Sequence, residues 1–77
     1  MMGYGYSIRL IKLNKSADRK LLGVRLGKLC IQYDVPVSSV ATKLGVSRQT
    51  VYNWFVGTTS PNPTLALRIE KFINLIK

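Results

Sequence analysis

A single glycine divides the middle of the chain into two short apolar-periodic stretches, and that division constrains the fold of these 77 residues most. Before it, Val37, Val40, Ala41 and Leu44 fall at i, i+3, i+4 and i+7, the spacing of one buried helical stripe. Gly45 follows, at the position after a helix where a left-handed residue costs least if it has no Cβ. Ser47 is a good cap for a second helix, whose Val51, Trp54 and Phe55 return to the core side before Gly57 ends it. Ala41 is small where the second helix must pass close, and Val46 plugs the angle between the two. Two helices meeting at a sharp turn are predicted, with Ala41, Gly45, Val46, Val51 and Trp54 as its structural residues.

The flanking segments supply more elements. Tyr4, Tyr6, Ile8 and Leu10 partly alternate, so residues 4–13 read as a short strand or an extended arm, with a second copy of the segment as its natural partner. Asn14 and Ser16 break that pattern, and Ser16 with Asp18 reads as the start of a helix over about 17–33. Leu22, Leu26, Leu29 and Tyr33 form its stripe, which Cys30 widens. Gly23 and Gly27 stand four apart and leave one side bare enough for another segment to approach, and Pro36 closes the helix. Thr58 to Pro63 is a loop by composition. Asn62 and Pro63 can then cap and start a last helix, carrying Leu65, Ile69, Phe72, Ile73 and Ile76 on one broad side.

Charge narrows the partners. Twelve basic residues against three acidic ones give +9, a surface that attracts polyanions with salt-dependent affinity. Seven of the twelve (Arg9, Lys12, Lys15, Arg19, Lys20, Arg25 and Lys28) lie in the first 28 positions. With no histidine, one cysteine and three scattered carboxylates, no metal cluster, acid–base pair or activated nucleophile can be assembled, so the chain reads as a non-enzyme without cofactor. Cys30 reads as a small apolar filler. No apolar run reaches the roughly 18 residues of a membrane span, and a cytoplasmic location is expected. One small domain leaves no room for a sensing module, so no small-molecule effector is expected.

If Val51 and Trp54 face inward, Arg48, Gln49, Thr50, Tyr52 and Asn53 face outward or along the rim. Those side chains suit base edges. Arg48 can make a bidentate contact with guanine, Gln49 can pair with adenine, and Thr50 offers a methyl and a hydroxyl. Asn53 reaches a base or a phosphate one turn on, and Tyr52 suits the sugar-phosphate backbone or packing. Ser47 caps a helix end whose partial positive charge suits a phosphate.

Residues 37–57, VSSVATKLGVSRQTVYNWFVG, resemble the helix-turn-helix of the phage Cro and lambda-repressor-like DNA-binding domains. The resemblance extends over roughly residues 17–76, with one helix before the motif and a loop, proline and apolar helix after it. It implies an all-α fold, a compact bundle of four to five helices, with residues 16–77 as the DNA-binding domain; residues 1–15, read above as an arm or short strand, are not part of the common pattern. It also implies that Arg48, Gln49, Thr50 and Asn53 contact bases, while Lys43, Thr58, Thr59 and Ser60 contact phosphates; Ser47 and Tyr52 join the phosphate set on the residue reading above. Many members begin the first motif helix with glutamine, where this chain has Val37. The function implied is a repressor that binds double-stranded DNA at an inverted-repeat operator, as a homodimer at least when DNA-bound. A small protein-binding adaptor or a non-specific nucleic-acid-binding protein are the alternatives left open by the residues.

Overall fold

The computed structural model describes residues 6–76, and these form five helices: α1 (Ile8–Ser16), α2 (Leu22–Gln32), α3 (Val37–Leu44), α4 (Arg48–Phe55) and α5 (Pro63–Ile76). The all-α expectation holds, and no strand occurs among the described residues.

The N-terminal segment corrects the reading of residues 4–13 as a strand or arm. Tyr4 lies outside the described residues, and from Ile8 the segment is helical. Ser7 caps it, its hydroxyl accepting from the Leu10 amide at 3.1 Å. Tyr6, Leu10 and Asn14, four apart, form the inward stripe, whereas Ile8, in phase with the supposed strand face, is 73% exposed. Leu, Arg and Lys favour helix here, and the inward stripe follows helical rather than alternating phase.

The start of the next helix also moves. Ser16 is the last residue of α1, and the Asp18 carboxylate accepts from the Lys20 amide in a tight turn, so α2 begins at Leu22 rather than near 17. Its buried positions include Val24, Leu26, Cys30 and Ile31; Tyr33, expected in the stripe, is the C-cap and half exposed.

Three helices end in the same way. Asp34, Gly45 and Gly57 take positive φ of 58°, 70° and 80°. In each case the next amide reaches back five residues: Val35 to the Cys30 carbonyl at 2.8 Å, Val46 to Ala41 at 3.0 Å and Thr58 to Asn53 at 3.0 Å. This is the Schellman closure, and Val35 and Val46 supply its apolar contact against the core. Asp34 therefore stops α2 before Pro36 is reached.

The core gathers Leu26, Cys30, Val37, Val40, Ala41, Leu44, Val51, Trp54, Phe55, Ile69 and Ile73 from four helices. Burying a side chain such as Phe55 or Leu26 completely contributes about 1.5–3 kcal/mol each. α4 lies close against the glycine strip of α2. A Cβ at Gly23 would sit 2.6 Å from Trp54 Cβ, and one at Gly27 would sit 2.9 Å from Phe55 Cγ. The bare side expected from two glycines four apart is thus the seat of α4. The last helix begins as expected, with the Asn62 side chain accepting from the Leu65 amide at 2.9 Å and Pro63 in first place.

Candidate nucleic-acid interface

The αL turn at Gly45 sets α3 and α4 at an angle, with Val46 partly buried in it and Ala41 buried where the two approach. Val51 is fully buried and Trp54 is 3% exposed, so the back of α4 is anchored. Ser47 caps its front. Its hydroxyl accepts from the Thr50 amide at 3.1 Å and lies 2.8 Å from the Thr50 hydroxyl. Thr50 is half-buried, and its hydroxyl is engaged with the cap.

Arg48 and Gln49 are exposed, and Asn53 is half-buried. The Gln49 amide nitrogen donates to the Asn53 side-chain oxygen at 3.1 Å, joining the two across one turn. Gln49 keeps its carbonyl oxygen and a second N–H, the acceptor and donor that an adenine edge requires, and Asn53 keeps its own NH₂ group. The pair forms one oriented amide array. No acidic residue occurs on α4.

Arg48 and Tyr52, also one turn apart, form the neighbouring stripe. They line a groove with Tyr6, Asp34 and Ser38. The Tyr6 ring packs on Phe55 with centroids 6.2 Å apart, and its hydroxyl donates to the Val35 carbonyl. Burial, followed by Cys30, Tyr52 and Asp34, raises this phenol above its usual range, so it remains a neutral donor.

The residues expected to face phosphates divide into two groups. Lys43 is exposed beside Ser38, Ser39 and Thr42, and its carbonyl accepts from Arg68 at 3.2 Å, fixing α5 to the end of α3. Thr58, Thr59 and Ser60 are exposed, but the Thr58 and Thr59 amides both point back to the Asn53 carbonyl, leaving hydroxyls as the outward donors. Val37 is 6% exposed and belongs to the core. The exposed hydroxyl at the start of α3 is the adjacent Ser38, which sequence reasoning passed over. Tyr6, Arg9 and Ser38 carry no local signal: they meet Arg48 and Tyr52 only through the folded chain.

Among the described residues there is no group of three or more potential metal-ligating side chains, and no helix is long and apolar enough to cross a membrane. No curated protein and no solved structure is significantly similar to the chain. A family profile described as helix-turn-helix matches residues 26–76, which takes in most of α2 and all of α3, α4 and α5. With the Ala41–Gly45–Ser47–Val51–Trp54 geometry in place over the same residues, the chain belongs to the helix-turn-helix family of Cro- and repressor-like DNA-binding proteins.

Proposed function

We propose that this protein is a sequence-specific transcriptional regulator, a Cro-like repressor that occupies an inverted-repeat operator as a homodimer with α4 in the major groove. The observation that carries the reading is the outer side of α4: exposed Arg48 and the joined Gln49–Asn53 amides stand on a helix whose back is buried and which bears no carboxylate. Arg48 suits guanine O6 and N7, Gln49 suits adenine, and the Thr50 methyl suits thymine. Ser47, Lys43, Tyr52, Thr58, Thr59 and Ser60 hold the flanking backbone. A helix end free of acidic residues and a chain charge of +9 favour that approach. Repression follows from occupancy alone. α5 leaves Leu67 and Leu75 exposed as apolar surface on which two copies can pair.

Selection of bound duplexes from a random pool tests this directly. The expected product is an enriched inverted repeat whose half-sites lie about 34 Å apart, or a multiple of that. A bound pool that stays random overturns the reading.

A further inference from the structure

α1 lies outside the residues that match the family, yet it is built into the same body as α4. Tyr6 ties its start to Phe55 and to the Val35 carbonyl, and Asn14 ties its end to the carbonyls of Val24 and Phe55. The consequence is a defined surface. Tyr52 stands at a seam, with the Arg48 groove on one side and a second groove lined by Ser7, Arg9, Leu10 and Leu13 on the other. No acidic residue lines the second groove, and Arg9 is exposed at it.

The stripes of α4 say which part of a duplex would meet this groove. Gln49 and Asn53 form one stripe, and Arg48 and Tyr52 form the next, on the side toward α1. A helix seated in a major groove about 12 Å wide has a sugar-phosphate backbone along its flank. Beyond Tyr52, that flank is the first turn of α1.

We infer that this turn is an additional DNA-backbone contact, in which the Arg9 guanidinium binds a phosphate beside Tyr52. The inference rests on the duplex-binding part of the function proposed above. A guanidinium fork matches phosphate oxygens, and Tyr6 and Asn14 hold the helix that carries it, so only the side chain itself is left to order on binding. The contact reads no base. It adds affinity and fixes how α4 lies along the groove.

The test is the salt dependence of binding to a mixed-sequence duplex of about 20 base pairs, for the full chain and for Arg9→Ala, Arg9→Lys and Arg25→Ala. Arg25 is the control: it is exposed two residues from both Gly23 and Gly27, on the side of α2 opposite the strip that receives α4. Arg9→Ala should reduce the slope of log K against log salt by about 0.9, the signature of one lost phosphate. Arg9→Lys should retain most of the slope, and Arg25→Ala all of it. Equal slopes for Arg9→Ala and the unsubstituted chain, or equal losses for Arg9→Ala and Arg25→Ala, overturn the inference and leave the regulator reading standing. The Arg9 loss, together with a bound pool that stays random in the duplex selection, does the reverse. A chain that binds no duplex at low salt removes both.

Discussion

The Asn14 carboxamide donates to the carbonyl oxygen of Phe55 at 2.7 Å, and so ties α1 to the last residue of α4. It also donates to the Val24 carbonyl at 3.2 Å, and Asn14 itself is 3% exposed. Carbonyls in the last turn of a helix lack helical partners, so the Phe55 oxygen depends on this donor. Asn14→Ala should lower stability by about 2 kcal/mol, because a buried acceptor loses its partner. Asn14→Leu, apolar and of the same branched shape, should not restore it. Urea denaturation measures both; a loss under about 0.5 kcal/mol would mean that the bond contributes only the low end of a typical hydrogen bond.

The glycine strip gives a second expectation. Alanine is the better helix former by roughly 1 kcal/mol, yet at Gly23 its Cβ would meet Trp54 O at 2.8 Å and Trp54 Cα at 3.0 Å, backbone atoms with little freedom to yield. Gly23→Ala should therefore be destabilising by about 1–2 kcal/mol net. At Gly45 a Cβ meets nothing within 4 Å, and φ of +70° alone opposes it, so Gly45→Ala should cost about 1 kcal/mol. Thermal melting of the two variants separates crowding from backbone strain: a more stable Gly23→Ala chain would show that α4 can move away from α2.

Asp34 occupies the left-handed position that Gly45 and Gly57 fill at the ends of α3 and α4, and its carboxylate stands at the negative end of α2. Asp34→Gly should add about 0.5–1 kcal/mol, raising Tm by roughly 2–8 °C in a domain of this size. An unchanged or lower Tm would mean that the aspartate side chain makes a compensating local bond.

Alkali supplies a test with a defined sign. Burial pushes the Cys30 thiol up to about 12 from an ordinary 9.0, and the Tyr6 phenol is raised as well. For both groups the folded state favours the neutral form. The thiol's stabilising contribution is complete below pH 9 and is lost as pH rises from there through the folded value near 12; the phenol's has the same sign and begins to be lost above its ordinary 10.0. Urea midpoints should hold level to pH 8 and fall above pH 9, and the fall should be shallower when Cys30→Ala and Tyr6→Phe are combined. The same steepness in that double variant would assign the alkaline loss to other groups.

What was legible in the amino-acid sequence was local. Ala41, Gly45, Val46, Ser47, Val51 and Trp54 lie within fourteen positions, and each acts on a neighbour no more than a few turns away, so spacing alone located the bihelical unit and its outward set. Gly23 and Gly27 announced a close approach without naming its partner. The α1 segment reads as a strand because Tyr6, Ile8 and Leu10 alternate, and because Asn14 looks like a break. Its partners are ten and 41 residues away, and only the folded chain supplies the two carbonyls that make a buried amide acceptable. Asp34 gives no signal for a related reason: the left-handed closure it adopts is usually glycine, and Pro36 offers a nearer explanation for the end of α2.

The central claim is that Arg48 reads a base while Lys43 holds only backbone. Mobility shifts on the selected operator and on a scrambled duplex measure this with Arg48→Ala and Lys43→Ala. Arg48→Ala should cost roughly 1–3 kcal/mol on the operator and much less on the scrambled duplex, while Lys43→Ala weakens both about equally. Equal losses on the two duplexes for Arg48→Ala would contradict the account.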